Sequence, residues 1–471
     1  MSIDRLSWGV FVASIALAPV VFGGNVPLGW SVTAVLAGLA LVLHAVALAN
    51  SGQPLAVPMR QIIVPIALFV PVLAIMVAQT LPLVPAAWKH PLWAEAGEVL
   101  DTTFPGAITL SISSTWEAFW VTVTVAAAFW LGLQHGRQPA RARFMVEAIA
   151  VLAAVNAVYG LFETVSGHHH VLWFDNVAFK ERATGTFINP NHFAAFLSIG
   201  FACGVTNLIA AVQSGGAKSG RSWQQYSGSQ RFAALGLAVI DAGARHGLLL
   251  IVMIAGVVMS GSRAGYAFLF LSAVVVLLIQ GLRGKGRSML LLAGTGGLVT
   301  VLLITGLLLN GDTLDRRLAG TGNDNSVTSR MQMFGYGLRI VADSPWFGFG
   351  FGAFEQVFPV YRDADLPWWQ SLNAMHNAYL EAAIGLGIPG AVLLVATCGW
   401  IGHRCWHGAI KRRRDALAPI AAATAITVIA LHACVDFSIQ IQGVAYVLAA
   451  LAGAGTAQTW SSRETLAREL R

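Results

Sequence analysis

The chain has 471 residues, of which 56% are hydrophobic and only 11% are charged, and its formal net charge is +7 at pH 7. A soluble domain carries about 25% charged residues, so this composition excludes an ordinary soluble protein and indicates a polytopic membrane protein. The positive charge does not argue for a nucleic-acid partner, because most of it lies in short segments that connect apolar runs.

Twelve apolar runs approach the roughly 20 residues that a helix needs to span a bilayer. They lie at residues 7–23, 28–49, 61–83, 114–134, 144–162, 190–213, 246–262, 264–282, 289–309, 378–402, 416–434 and 437–457. The first run leads straight into the second without a convincing small-residue cleavage site, so we expect it to remain as the first helix. The sequence predicts an all-α polytopic integral membrane protein with about 12 transmembrane helices in one domain over residues 1–471.

The basic residues predict the orientation of these helices. If the N-terminus is cytoplasmic, the cytoplasmic segments hold 20 of the 29 basic residues, including the runs RGKGR at 283–287 and KRRR at 411–414. This distribution follows the positive-inside rule and places both termini in the cytoplasm. Nine basic residues then lie against the bias on the periplasmic side and need another explanation: Lys89, Lys180, Arg182, Arg263, Arg316, Arg317, Arg330, Arg339 and Arg362.

The lengths of the periplasmic loops indicate where function lies. Residues 163–189 form a medium loop, whereas residues 310–377 form a loop far longer than a connection requires. Within the long loop, "SVTSRMQMFGYGLRIVADSP" has Met331, Phe334 and Leu338 at helical spacing and predicts a short amphipathic helix near the membrane surface. The glycines of the following "PWFGFGFGAF" permit a tight turn or close backbone approach.

Three separate segments place Arg or His at this same membrane face. They are "RATGTFINPNHFAAFL" with Arg182, "MSGSRAG" with Arg263, and "MHNAYLEAAIGLGIPG" with His376. A single arginine at a helix end usually extends toward lipid headgroups, and a single interfacial histidine is often only hydrogen-bonded. Arg263 fits this simple explanation poorly, because its turn between two spans offers the side chain little besides neighbouring helices or a ligand.

Other patterns in the sequence are weaker. The consecutive residues His168, His169 and His170 cannot easily present three nitrogens to one metal ion, which favours a solvated loop. Asp363 and Asp365 form a D-x-D pattern used for metal-bound sugar nucleotides, but so short a motif also occurs by chance. The four cysteines show no metal or disulfide spacing and are expected to pack as small apolar residues.

Several arginines at the outer mouth of a helical bundle suit a lipid-linked phosphate or pyrophosphate. The tail of such a ligand lies in the bilayer while its charge lies at the interface, where arginine makes planar bidentate contacts. Glycosyl transfer is a reaction that this substrate supports, because the pyrophosphate can leave from the anomeric carbon. Histidine is suited to accept the proton of the acceptor hydroxyl near neutral pH.

The quoted segments, in this order and topology, resemble the bacterial O-antigen ligase and O-antigen polymerase superfamily over roughly residues 150–400. The resemblance implies an inner-membrane transferase that needs neither metal nor cofactor and takes a glycan from undecaprenyl pyrophosphate at the periplasmic face. Arg182 and Arg263 would hold the pyrophosphate, and His376 would activate the acceptor hydroxyl. Further candidates for substrate binding are the loop arginines and the residues beside Arg182 and His376: Arg330, Arg339, Asn189, Asn191, His192 and Asn377.

The acceptor distinguishes several functions that share this donor machinery. A ligase, which the single large late loop favours, transfers the glycan to a lipid A core sugar. A polymerase transfers it to another lipid-linked repeat, and a protein O-oligosaccharyltransferase transfers it to a serine. A twelve-helix transporter or lipid-glycan flippase is a different class, disfavoured because the unexplained cations lie at one face and no repeat is visible. Glu381 and Asp436 remain alternatives to His376 as the base.

Overall fold

The structure is a computed structural model that describes residues 2–218, 228–283, 325–363 and 373–460. Over these residues its regular secondary structure is helical apart from one short hairpin. The helices are α1 (Ile3–Leu17), α2 (Pro27–Ser51), α3 (Ile63–Thr80), α4 (Leu92–Val99), α5 (Ile112–His135), α6 (Pro139–Ser166), α7 (Pro190–Lys218), α8 (Gly228–Ser260), α9 (Arg263–Leu282), α10 (Asn325–Asp343), α11 (Phe354–Tyr361), α12 (Ala378–Lys411), α13 (Leu417–His432) and α14 (Gln442–Ala457). The hairpin pairs β1 (His170–Val171) with β2 (Phe174–Asp175) in antiparallel register.

The all-α polytopic class predicted from the sequence is confirmed. Among the described residues, eight helices are long and apolar enough to cross a membrane, and α13 and α14 are shorter apolar helices. The span predicted at 289–309 lies outside the described residues. The span predicted at 246–262 forms the end of a longer helix, because α8 begins at Gly228. The first predicted span, 7–23, extends beyond its helix, because α1 ends at Leu17. Pro19 cannot continue a regular helix, and Gly23 and Gly24 adopt left-handed backbone with φ of 67° and 71°.

Helix α7 lies at the centre of the bundle. Its apolar span is 89% buried, against 22% for α2, and it packs against α6, α8, α9 and α13. The side chains of Phe193, Phe196 and Leu197 on its first turns are fully buried. The polar loop before α7 is therefore fixed against the core, which holds the residues at this end of α7 in place.

A break in α12 joins the long loop to the bundle. Gly387 has φ 71° and ψ 166°, which interrupts the helix. The backbone of the loop donates hydrogen bonds to carbonyl groups of α12 beside this break. The Phe349 N–H donates to Ile384 O at 2.8 Å, and the Gly350 N–H donates to Gly385 O at 3.1 Å. The buried Gln79 amide also donates to Gly385 O, at 2.6 Å. The segment that follows α10 is thereby attached to α12.

Helix α10 confirms that the sequence around Met331 to Leu338 is helical. One face packs onto α11 and α12 through Met333, Tyr336 and Ile340, which are 7% exposed or less. Met331 and Leu338, from the predicted apolar stripe, are 65% and 64% exposed and lie on another face. The helix therefore has two apolar faces, of which tertiary packing covers one. Its position at a membrane surface stays a prediction.

Candidate active site

His376 lies in the turn that leads into α12, at the end of the bundle where α7, α9 and α12 begin. Its backbone φ is 53°, in the left-handed region. Asn377 caps α12, with Oδ1 accepting from the N–H groups of Tyr379 and Leu380 at 3.1 and 3.0 Å. Glu381 accepts from the Met375 N–H at 2.8 Å. Hydrogen bonds on both sides of His376 therefore hold its backbone in this conformation.

Asp436, in the connection between α13 and α14, is the buried centre of the site. Its side chain is only 1% exposed. Oδ2 accepts a hydrogen bond from Asn191 Nδ2 at 3.1 Å, and Oδ1 accepts from Ser438 Oγ at 2.6 Å. His376 Nδ1 lies 3.6 Å from Oδ2, and His192 Nε2 lies 3.7 Å from Oδ1. One carboxylate thus connects α7, the His376 turn and the α13–α14 connection.

The surroundings of Asp436 keep its carboxyl group ionised. Burial alone would raise the pKa of Asp436. The interactions with His376, His192, His432 and Ser438 outweigh that effect and hold the pKa of Asp436 well below its usual value. The group is therefore an anion near neutral pH, suited to orient a histidine and to stabilise its protonated form.

Phe437 separates the two histidines that face Asp436. The His192 ring lies 4.6 Å from the Phe437 ring with an interplanar angle of 80°, and the His376 ring lies 5.0 Å away at 70°. His192 is 4% exposed in its side chain, whereas His376 is 26% exposed. Of the two, His376 is the one that a substrate can reach in this arrangement.

Arg182 and Arg263 both lie at the turn between α8 and α9. Arg182 Nε donates to Ser260 O at 2.6 Å. Ser262 caps α9 by accepting from the Gly265 N–H at 3.1 Å, and Arg263 follows as the first residue of that helix. The structure brings both arginines to one turn, although the sequence separates them by about 80 positions.

Asn191 joins this turn to Asp436. Its Oδ1 accepts from Ser262 Oγ at 2.8 Å while its Nδ2 donates to Asp436. Asn189 accepts from the Asn191 N–H at 2.8 Å and shapes the first turn of α7. A continuous series of hydrogen bonds thus runs from the α8–α9 turn through Asn191 to Asp436, which faces His376.

The arginines predicted on α10 are placed differently. Arg339 pairs with Asp363 at 3.2 Å and lies 4.6 Å over the ring of Tyr336. Tyr336 Oη also donates to Asp363, at 2.9 Å. Together these hydrogen bonds lower the pKa of Asp363. The side chain of Arg330 and all of Asp365 lie outside the described part of the chain.

A small polar cavity lies beside Arg182. Glu163, His170, Asn176 and Thr184 are among the residues that line it. The two ring nitrogens of His170 face different carboxylates, with Nε2 2.7 Å from Asp175 and Nδ1 4.0 Å from Glu163. The interpretation of the histidine run as a solvated loop stays a prediction.

Sequence reasoning named Asp436 only as an alternative base and did not identify it as the centre of the cluster. It missed Phe437 and Ser438 entirely. A usable signal was present, because Asp436 is an acidic residue in a short connection between two apolar helices at the same face as His376. The hydrogen bond from Asn191 was not predictable, since it depends on how α7 packs against the α13–α14 connection.

Comparison with protein families indicates the class of enzyme. Residues 248–395 match the family described as O-antigen ligase. Over these residues the chain is similar to the O-antigen ligase family. The superfamily resemblance is therefore confirmed, and the matched segment includes Arg263, Arg339, His376 and Asn377. A search of curated proteins found no significant match. The family indicates a glycosyltransferase-like enzyme of O-antigen assembly, here in a multi-pass membrane protein.

Proposed function

We propose that the protein is an O-antigen ligase of the bacterial inner membrane. It transfers a glycan from undecaprenyl pyrophosphate to a hydroxyl of a lipid A core sugar at the periplasmic face. The proposal rests on one connected cluster. The α8–α9 turn, where Arg182 and Arg263 lie, is hydrogen-bonded to Asn191, and Asn191 is hydrogen-bonded to Asp436. Asp436 in turn faces His376. The O-antigen ligase match over residues 248–395 supplies the reaction class.

The donor pyrophosphate binds at the α8–α9 turn in this proposal. Guanidinium groups make bidentate hydrogen bonds to phosphate and keep their charge at all relevant pH values. Arg182 and Arg263 therefore neutralise the charge that grows on the pyrophosphate as it leaves, a role that a metal ion fills in other transferases. The undecaprenyl tail extends from the turn along the outside of the helices into the bilayer.

His376 acts as the general base. With Nδ1 directed at Asp436, Nε2 is the ring nitrogen left to accept the proton of the acceptor hydroxyl. The acceptor oxygen forms a bond to the anomeric carbon while the bond from that carbon to the pyrophosphate oxygen breaks on the opposite face. The configuration inverts, undecaprenyl pyrophosphate leaves, and the protonated His376 later releases its proton to water.

The two alternative bases are less suitable than His376. Asp436 is buried, accepts hydrogen bonds from Asn191 and Ser438, and has a pKa well below its usual value, so it is a weak base. Glu381 is engaged with the Met375 N–H. Asp436 instead orients the His376 ring and stabilises the imidazolium, and Glu381 holds the turn before α12.

Reconstitution tests the proposal directly. The purified protein in liposomes receives undecaprenyl-pyrophosphate glycan together with either lipid A core or a second donor molecule. Glycosylated lipid A core is the expected product. A lengthened glycan on the undecaprenyl carrier would instead identify a polymerase. If neither product forms with competent substrates, a protein acceptor and donor transport become the functions to assay, and the ligase proposal fails.

A further inference from the structure

The opposite end of the bundle, where α1 and α6 begin and α5 ends, holds a second cluster that the proposed reaction does not use. Asp4 of α1, His44 of α2 and His135 of α5 each offer a ligand atom within 4.8 Å of the others. His44 is 8% exposed and His135 is 2% exposed. The Asp4 side chain is 44% exposed and gives the cluster an opening to solvent.

His44 is the residue of this cluster that indicates a bound ligand. Both of its ring nitrogens are buried and have no hydrogen-bond partner among the described residues. A buried polar group without a partner is unfavourable. The His44 ring lies 5.1 Å from the His135 ring, and one of its nitrogens lies near one nitrogen of His135 and a carboxylate oxygen of Asp4.

Arg141 shows that this region attracts a cation. Its guanidinium forms an ion pair with Asp4 and donates to His135 Nδ1 at 2.8 Å. The other ring nitrogen of His135 is 3.1 Å from Ser7 Oγ, which donates to Ala40 O at 2.9 Å. Because Ser7 uses its proton for that carbonyl, His135 Nε2 donates and Nδ1 carries the lone pair. A carboxylate and an imidazole lone pair therefore both point at one positive group.

We propose that Asp4, His44 and His135 form a binding site for a divalent transition-metal ion such as Zn²⁺, which enters by displacing the Arg141 guanidinium. Two imidazole nitrogens and one carboxylate oxygen are a common ligand set for zinc, with water as the fourth ligand. The bound ion uses a lone pair of His44, and it links α1 to α2 and α5. Arg141 lies in the first turn of α6, from which its side chain can swing out to solvent or lipid phosphate.

This site is separate from the proposed transferase site. Its ligands come from α1, α2 and α5, whereas Asp436 and His376 lie at the other end of the bundle. Metal binding at this site therefore does not depend on the proposed ligase activity. Its role is to fasten the N-terminal helix, which otherwise reaches the cluster through the Arg141 ion pair with Asp4.

Zinc binding to the full-length protein in nanodiscs tests the proposal. The protein is stripped with EDTA, dialysed and titrated with ZnCl₂ by calorimetry, and Co²⁺ absorption reports tetrahedral coordination. Wild-type protein is expected to bind one ion tightly and to unfold at a higher temperature with zinc. His44→Leu, which removes a ring that makes no hydrogen bond, should weaken binding on the order of 100-fold and abolish the zinc-dependent thermal shift.

Exposed histidines supply the matched controls, since surface imidazoles also bind zinc. His403 and His407 are exposed one turn apart on α12, and His168 begins the histidine run. The double variant His403→Ala/His407→Ala and the variant His168→Gln should retain the tight site. The proposal is overturned if wild-type protein binds no zinc tightly, or if tight binding survives His44→Leu and is lost in these control variants.

Arg141 supplies an independent test of the displacement step. The guanidinium competes with the ion for Asp4 and His135, so Arg141→Gln should bind zinc more tightly than wild type. We expect an affinity gain of about tenfold, because zinc then no longer has to break a charge-assisted hydrogen bond. Equal or weaker binding in Arg141→Gln would rule out displacement of the guanidinium. Circular dichroism and thermal unfolding of this variant without metal establish that it is folded.

Discussion

Both ends of the helical bundle contain an aspartate with histidines, but the aspartate has a different main partner at each end. Asp436 is 1% exposed and faces His376 and His192. Asp4 is 44% exposed and pairs with the guanidinium of Arg141. An arginine beside a carboxylate fixes a positive charge permanently, whereas a histidine there can gain and lose a proton. The Asp436 end is thus suited to proton transfer and the Asp4 end to holding a cation.

The largest effect that would test this comparison is expected from His376→Ala. Loss of the general base should lower glycan transfer by at least about 100-fold, while the donor still binds because the proposed pyrophosphate contacts are elsewhere. Turnover and donor affinity are measured on the same reconstituted sample. His403→Ala, which removes an exposed histidine of α12, serves as the control and should keep wild-type turnover. Normal turnover by His376→Ala would remove this residue from the mechanism.

Substitution of Arg263 is expected to have the next largest effect. Arg263→Lys should lose nearly as much turnover as Arg263→Ala, roughly 100-fold, because lysine keeps the charge but loses the planar bidentate contact to the leaving pyrophosphate. Arg143→Lys, at an exposed pair with Asp415, is the matched control and should be near wild type. Full activity of Arg263→Lys would mean that charge alone suffices or that Arg263 has no role.

Asp436→Asn should lower turnover by about tenfold, since the amide preserves shape but removes the negative charge that stabilises protonated His376. Asp436 has a lowered pKa and is ionised near neutral pH, so this charge is present in the wild-type protein. Turnover is measured on the reconstituted protein, with Asp415→Asn as the control, which should keep wild-type turnover. Wild-type turnover by Asp436→Asn would contradict the coupling between Asp436 and His376.

The smallest effect is expected at the exposed pair of α10. Arg339→Ala should raise the KM for the donor only a few-fold and leave kcat and thermal stability nearly unchanged, because exposed ion pairs are screened by water and salt. Steady-state kinetics at two salt concentrations measure this. A loss as large as that of Arg263→Ala would place α10 directly at the reacting pyrophosphate.

Much of the architecture follows from the sequence because a membrane span is a local property. The predicted runs 28–49, 114–134 and 378–402 coincide with α2, α5 and the first part of α12 to within a few residues. Hydropathy requires only about 20 consecutive side chains. The break at Gly387 was not predicted, because it depends on loop backbone and Gln79 reaching α12 from distant parts of the chain.

The site could be predicted only in part, for a similar reason. Topology alone predicted that Arg182, Arg263 and His376 share one face, and the structure places them around connected turns. Their link through Asn191 and Asp436 depends on tertiary packing, which residue spacing does not encode. The contacts of Arg339 could not be predicted either. Helical periodicity does not show which of the two apolar faces of α10 is covered by the rest of the protein.

The left-handed backbone at His376 determines which inactive variant is best for structural work. Alanine at φ 53° is strained by about 1 kcal/mol or more, so an alanine variant loosens the turn as well as removing the ring. Asparagine adopts this conformation far more readily. We expect His376→Asn to leave the entrance of α12 intact while preventing turnover, which makes it the form in which donor and acceptor could be trapped together and imaged.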